Sequence, residues 1–282
     1  MSEQVREIPV SELHSFKNHP FQVKDDESMQ ALCDSIREYG VLSPLLVRPT
    51  EEGYEIVSGH RRKEAALRLA LTSLPVLVRN MTDDEATILM VDSNIQRENL
   101  LPSEKAFAYK MKFEALKHQG KAASGQLVPN SDANRTMTKI GEVQGESYKT
   151  VQRYIRLTNL AKPILDLVDE QRIAFSPAVE LSYLTKTEQA ELWDIMQSED
   201  CTPSLSQAVR MKKLSQAAEL TPERIFDIMS EEKANQKERV RLEVSAIRKY
   251  FPRSYTPAQM EQSILKMLDE QYRKKQKNRE ER

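Results

Sequence analysis

"SGHRRKEAALR", residues 58–68, follows directly on the strand-like run YEIV, residues 54–57, and opens a helical pattern. Two adjacent arginines, Arg61 and Arg62, therefore stand just past Gly59 at a strand-to-helix turn. The first backbone N–H groups of a helix have no partner within it and already favour anions. Two guanidinium groups added there make a concentrated positive corner. Either an anion binds at this turn, or an acidic element packs against it.

Working outward, residues 25–40, DDESMQALCDSIREYG, predict an amphipathic helix with an acidic first turn and a stop at Gly40. Residues 45–57, LLVRPTEEGYEIV, read as two strands around a polar turn at 51–53, and residues 74–80, LPVLVRN, supply a third. Residues 1–81 thus form a small α/β module. Strands stop at Thr82, which with Glu85 makes a T-x-x-E capping box before a helix through residues 87–97. Pro102 suits the first turn of another helix over 103–119, closed by Gly120. The helical part at 82–120 is followed by residues 121–134, KAASGQLVPNSDAN, which lack periodicity and read as a loop or linker. Helices then fill 135–219, with breaks near Pro163, Pro177 and Pro203, and a charged helical segment occupies 220–282. The fold class is α+β: an N-terminal α/β module, an all-α domain and a helical C-terminal segment.

The chain has 42 Lys+Arg against 43 Asp+Glu, so any basic surface must be local and balanced elsewhere. No apolar run approaches the roughly 20 residues that cross a bilayer, and MSEQVREIPV lacks a signal-peptide core. A cytoplasmic protein with no membrane partner is expected. Cys33 shares a helical stripe with Met29, Leu32 and Ile36 and reads as core, whereas Cys201 reads as a solvent-facing thiol in a polar loop. The four histidines, 14, 19, 60 and 118, do not cluster, and neither cysteine has a CxxC partner, so no metal site is composed from them.

Residues 136–160, TMTKIGEVQGESYKTVQRYIRLTNL, have helix-turn-helix proportions. A short helix around 137–143 precedes a turn at Gly145, and Ser147 caps a second helix. On that helix Val151, Tyr154, Ile155 and Thr158 share one side, while Lys149, Gln152, Arg153 and Arg156 share another. Arg and Lys donate to guanine or phosphate, and Gln pairs with adenine. Between residues 134 and 162 six Lys/Arg face two acids. The competing reading is an ordinary amphipathic helix with a basic outer face.

Three stretches in order accompany that segment: residues 18–49, 53–67 (GYEIVSGHRRKEAAL) and 93–109 (SNIQRENLLPSEKAFAY). Together with the helix-turn-helix they resemble the ParB family of plasmid and chromosome partition proteins, over roughly residues 5 to 190. The resemblance implies an N-terminal module that binds CTP with Mg²⁺ and middle helices that bind a short palindromic centromere-like site on double-stranded DNA. It further implies a nucleotide-closed homodimeric clamp, C-terminal dimerisation, a partner partition ATPase and a nucleoid-associated place in the cell. By that resemblance Ser58, Gly59, His60, Arg61 and Arg62 form the phosphate-binding turn. Gln22 and Lys24 fall in the first nucleotide motif, and Asn94, Gln96 and Arg97 in the second, with Asn94 near the metal. Ser147, Lys149, Gln152, Arg153 and Arg156 are the residues implied at DNA.

The chain departs from the family at several positions. His60 replaces a glutamate, Glu64 an arginine, Lys24 an arginine, and Ser93 the glutamate that precedes Asn94. That last carboxylate is associated with metal binding and CTP hydrolysis, so no catalytic residue is assigned. Asp92 lies one residue earlier but about 100° around a helix. In the bland alternative, Arg61 and Arg62 pair with Glu64, Asp92 or Glu98 in a decayed pocket, and the protein is a helix-turn-helix transcription regulator. A third alternative, phosphoryl-transfer or nuclease chemistry, needs Asp92 or Glu98 beside the phosphate. Tyr109, Phe113 and Trp193 read as core, and the basic cluster from Arg273 to Arg282 as a solvated tail. Met260, Ile264, Met267 and Leu268 form an apolar stripe, to be covered by a second copy or by folding back on Val240, Val244 and Ile247.

Overall fold

The computed structural model describes residues 4–97, 100–124, 130–231, 247–252 and 254–280. Residues Met1–Glu231 form one compact unit and Glu232–Arg282 another. The first unit begins with a five-stranded mixed sheet: β1 (Val5–Pro9), β2 (Leu13–Ser15), β3 (Leu45–Thr50), β4 (Gly53–Ser58) and β5 (Ser73–Val78). Its order is β1-β5-β3-β4-β2, antiparallel for β1/β5 and β3/β4 and parallel for β5/β3 and β4/β2.

Adjacent residues on a strand point to opposite faces, and Ile56 and Val57 on β4 are both fully buried. Ile56 packs with Leu45, Val47, Leu74 and Val76 and with Ala66 of α2 (His60–Arg68). Helix α1 (Glu27–Tyr39) adds Met29, Cys33 and Ile36 against Ala65. Val57 belongs to a separate cluster with α3 (Asp83–Asn94) and α4 (Pro102–Ser124). Each sheet face thus carries its own helical layer. The two outer strands escape the sequence reading because β1 buries only Ile8 and β2 is three residues long, too little for alternation to register.

Helix α4 is the spine of the unit and touches α3, α5 (Asn130–Glu142), α6 (Tyr148–Leu157) and α7 (Lys162–Asp169). Lys112 of α4 bonds Asp92 of α3 at 2.5 Å. The Ser103 N–H donates to Asp169 at 2.9 Å. Lys105 and the Tyr109 hydroxyl both reach Glu146, the tyrosine at 2.9 Å. Tyr109 is buried as expected, but it also carries this polar bond; Trp193 packs half-buried against the helical core.

Helices α7, α8 (Phe175–Leu181), α9 (Lys186–Ser198), α10 (Leu205–Gln216) and α11 (Pro222–Ser230) close a second core around Ile164, Leu181, Leu192 and Met211. The boundary read at residue 219 differs from this arrangement. Ile225, Ile228 and Met229 of α11 are buried in that core, and Gln207 donates to the Ile228 carbonyl at 2.6 Å. The linker read over 121–134 is also corrected: α4 runs to Ser124 and α5 starts at Asn130, leaving 125–129 outside the described residues. Small and polar residues mask these helix ends because neither end carries an apolar stripe. Cys201 is corrected as well, since it is half-buried against the helical core rather than solvent-facing.

In the second unit, α12 (Pro257–Glu280) follows a turn at Arg248–Tyr250. Met260 is fully buried within it, while Leu265, Met267, Leu268 and Tyr272 are exposed. Val240 and Val244, invoked for a fold-back, lie outside the described residues, as do Glu98 and the chain end at 281–282. No helix among the described residues is long and apolar enough to cross a membrane.

A chain ended at residue 219 forfeits three buried apolar side chains of α11, about 5–9 kcal/mol of burial. It is expected to melt well below a chain ended at residue 231, with thermal unfolding of both against the full length as the check.

Candidate functional site

Gly59 takes φ +114°, and a Cβ there would lie 2.7 Å from Leu45 Cγ. Only glycine turns β4 into α2 this tightly. The turn then separates the two arginines. Arg62 is drawn inward and donates to the carbonyls of Ser43 and, at 2.8 Å, Pro44. Arg61 points the other way, to Ser28 Oγ at 2.6 Å and Asp26 Oδ1 at 3.5 Å. Asp26 is also the N-cap of α1, accepting from the Met29 N–H at 2.9 Å. Among the described residues neither arginine meets the acids proposed from sequence: Glu64 pairs with Arg68 and Asp92 with Lys112, while Glu98 lies outside the described residues.

Arg61 forms part of the wall of a cleft of about 330 Å³ lined by Gln22, Lys24, Asp26, Ser28, Arg97, Leu100 and Glu104. Three cations therefore converge against two carboxylates. Glu104 is buried and accepts from the Gln22 N–H at 2.7 Å and the Leu101 N–H at 2.9 Å, which ties the 22–24 segment to the start of α4. The Arg97 guanidinium has no hydrogen-bond partner among the described residues, so it is available to an anion. Of the sequence-derived residues, Gln22, Lys24, Arg61 and Arg97 line the cleft, while Ser58 and Gly59 shape its turn. Arg62 faces protein carbonyls. Asn94 donates to the Met90 carbonyl at 2.9 Å and to Ser93 Oγ at 3.1 Å, and neither it nor Gln96 is among the lining residues.

Asp26, Ser28, Leu100 and Glu104 escape sequence reasoning. Asp26 and Glu104 look like ordinary first-turn acids of helices, and only the fold brings those two helix starts together. His19 is a further surprise: its ring lies 3.8 Å from that of His60, centroid to centroid. His19 Nδ1 bonds the Phe21 carbonyl at 2.8 Å, and His60 Nε2 accepts from the Phe16 N–H at 3.3 Å. His60 is half-buried and, with its Nε2 accepting a backbone N–H, neutral. Burial first, then the charges of His19, Lys63 and Arg97, push it down to about 3. Burial likewise lowers His19, with the Phe21 carbonyl opposing, Arg97 adding and Glu104 opposing.

The helix-turn-helix forms where expected, with α5 longer at its start. The Glu146 N–H donates to the Gly141 carbonyl at 2.9 Å, and a Cβ on Gly141 would meet the Glu146 oxygen at 2.3 Å. Gly145 turns with φ +66°, and Ser147 caps α6 by accepting from the Thr150 N–H at 3.2 Å. Val151 and Leu157 are buried; Lys149, Gln152 and Arg153 are exposed; Arg156 is half-buried.

Residues 1–95 match the model of the ParB N-terminal domain. The chain is 35% identical over 210 residues to the probable chromosome 1-partitioning protein ParB of Deinococcus radiodurans, covering 74% of this chain and 66% of that protein. It is 32% identical over 206 residues to the chromosome-partitioning protein Spo0J of Thermus thermophilus, covering 73% and 69%. The chain belongs to the ParB family. Among solved structures it is similar to C-terminally truncated ParB from Caulobacter crescentus complexed to the centromeric parS site, at 22% identity and TM-score 0.42, covering 75% of this chain and 99% of that one.

The family resemblance expects a glutamate at the position of Ser93. Ser93 Oγ donates to the Met90 carbonyl at 3.0 Å. Asp92 does not step in, because it is held by Lys112 and lines a different cleft, of about 280 Å³, with Arg79, Asn80 and Gln119. Among the described residues no group of three or more His, Cys, Asp or Glu could hold a metal ion.

The histidine pair gives the module a pH dependence. Both rings titrate lower in the folded chain than the ordinary 6.5, so below about pH 6.5 the unfolded chain binds more protons. Stability is full above that pH and declines as pH falls toward the folded values. Urea midpoints are expected to drop between about pH 7.5 and about pH 5, and to drop less in His60→Gln.

Proposed function

We propose that this chain is a partition protein that loads on a specific double-stranded DNA site under the control of a nucleotide triphosphate, CTP, held in the cleft beside Arg61. The task served is segregation or maintenance of a chromosome, plasmid or integrated element. The observation that carries this reading is the double use of α4. Its first turn puts Glu104 in the cleft wall, and the adjacent Lys105 with Tyr109 grips Glu146 in the turn before α6. Occupancy of the cleft thereby reaches the DNA-reading helix through one rigid element.

The residues fit the proposed ligand. A triphosphate finds Lys24, Arg61 and Arg97 in the cleft wall, with Arg61 in the first turn of α2, where a helix start favours an anion. Arg61 must exchange its bonds to Ser28 and Asp26 for phosphate, and that exchange is the built-in competitor to binding. Mg²⁺, a hard cation that prefers oxygen ligands and often retains water and phosphate, would be met by the phosphates and, by the family resemblance, by the Asn94 amide oxygen, which must first turn toward the cleft because Asn94 does not line it. With Ser93 in place of a carboxylate and Asp92 engaged by Lys112, hydrolysis is slow or absent, and the cleft serves binding. A palindromic site calls for two copies of the chain, so a homodimer is the working assembly. Its place is the nucleoid, and a partition ATPase is the customary further partner.

Binding of CTP, UTP, ATP and GTP with Mg²⁺, measured by calorimetry on the chain and on Arg61→Ala, tests the cleft. Selective CTP binding, weakened about tenfold or more in the variant, is expected; an Arg–phosphate pair is worth at least that much. No binding of any nucleotide, with or without DNA, would transfer the reading to a DNA-binding regulator whose cleft is occupied by its own Asp26.

For the DNA face, Lys149→Ala is the second measurement. If Lys149 contacts phosphate, affinity falls for all sequences and the slope of log K against log salt shallows by about 0.9. If it reads a base, discrimination relaxes at one position by about 1–3 kcal/mol.

A further inference from the structure

The exposed face of α6 is not uniform. Arg153 and Arg156, almost one helical turn apart, meet opposite ends of α8. Arg153 Nη2 donates to Ser176 Oγ at 2.9 Å, and its guanidinium sits 4.8 Å from the Phe175 ring. Arg156 Nη2 donates to the Ser182 carbonyl at 3.2 Å, and its guanidinium lies 3.9 Å from the Tyr183 ring centroid. Ser182 is the C-cap of α8, so its carbonyl is among those a helix end leaves without an internal partner.

Tyr183 is itself braced. Lys212 of α10 lies 3.8 Å from the same ring and bonds Glu180 of α8 at 2.8 Å. Two cations thus share one aromatic ring, and the ring joins α6, α8 and α10. Arg156 Nε is buried with no hydrogen-bond partner. The Nε/Nη2 edge of the guanidinium therefore faces protein and is closed to a bidentate contact with guanine O6 and N7. Lys149 and Gln152 differ: both are exposed, with no side-chain partner among the described residues.

We infer that Arg156 is a positioning residue, which through Tyr183 sets the pose of α6 on α8, and that Lys149 and Gln152 do the reading of bases. This rests on α6 being the DNA-reading helix. Arg suits the strut because a planar guanidinium both stacks on an aromatic face and reaches a carbonyl, which an ammonium does not reproduce. The first residues of α6 then meet DNA at an angle fixed by the last turn.

The test is a double-mutant cycle on DNA affinity, using full-length chain and a duplex that the unaltered chain selects from a randomised pool, with a scrambled duplex as competitor. Arg156→Ala and Tyr183→Leu are each expected to weaken the selected duplex about tenfold, and the double variant to be no weaker than either. The salt slope should stay unchanged in all three. Arg156→Lys should be as weak as Arg156→Ala despite keeping its charge, whereas Tyr183→Phe, which keeps the ring face, should bind normally. If Tyr183→Leu fails to fold, the Lys and Phe variants decide. The assignment is overturned if Arg156→Ala alone shifts the preference at one base pair or shallows the salt slope while Tyr183→Leu is neutral and the effects add. An unaltered chain that selects no duplex removes the DNA reading itself, an outcome distinct from additivity in a chain that binds.

Discussion

Glu146 sits in the turn of a helix pair, and two side chains of a third helix hold it there. Lys105 and Tyr109 are four residues apart on α4, so they stack on one face and close on the same carboxylate. Tyr109 is almost fully buried, and burial followed by the hydrogen bond to Glu146 raises its hydroxyl well above the ordinary phenol range. A buried donor deprived of its acceptor costs about 1–3 kcal/mol, and an ion pair broken on one side costs more. This contact fixes where α6 lies, because Glu146 is adjacent to the cap of that helix. One turn further along, Lys112 reaches Asp92 of α3 by the same geometry. A single stripe of α4 thus joins the two layers that the sheet and the helix-turn-helix bring to it.

The cleft depends on the same helix from its other side. Glu104 precedes Lys105 by one residue, which turns it about 100° around the axis and into the cleft wall. There it accepts from Gln22 and Leu101. A carboxylate that accepts backbone N–H groups is rigid, so the segment carrying Gln22 and Lys24 is held against α4. The cleft's positive side is less settled: Arg61 has partners in Ser28 and Asp26 that an anion must displace, while Arg97 has none among the described residues.

The paired arginines of the opening stretch illustrate how one motif divides its labour. Neighbouring helical residues diverge by about 100°, and the backbone turn at Gly59 decides which of them faces inward. Arg62 pins the segment before β3 by its carbonyls, and Arg61 is left to the cleft. The positive corner therefore has both of the answers its sequence allowed, an acidic partner now and room for an anion. On α6 the two arginines likewise have neighbours on α8, but Arg156 is turned further into the protein than Arg153.

Local chemistry was legible in the sequence wherever it is local. Caps at Thr82 and Ser147, the stop at Gly40 and the turns at Gly59 and Gly145 follow from backbone hydrogen bonding within a few residues, and each stands where it was read. The core strands and the helix-turn-helix were legible for the same reason, since apolar period and capping are written side by side. What only the tertiary structure decided is pairing across distance. The edge strands β1 and β2 exist because partners 64–72 and 41 residues away offer them hydrogen bonds, not because their own pattern demands it. Glu104, Asp26 and the His19–His60 stack gain their places only when helix starts from different parts of the chain converge. Arg156 looks like a DNA contact by its period and is placed against Tyr183 by a neighbour 27 residues on. Periodicity gives the side of a helix; the packing of the next helix decides whether that side meets solvent.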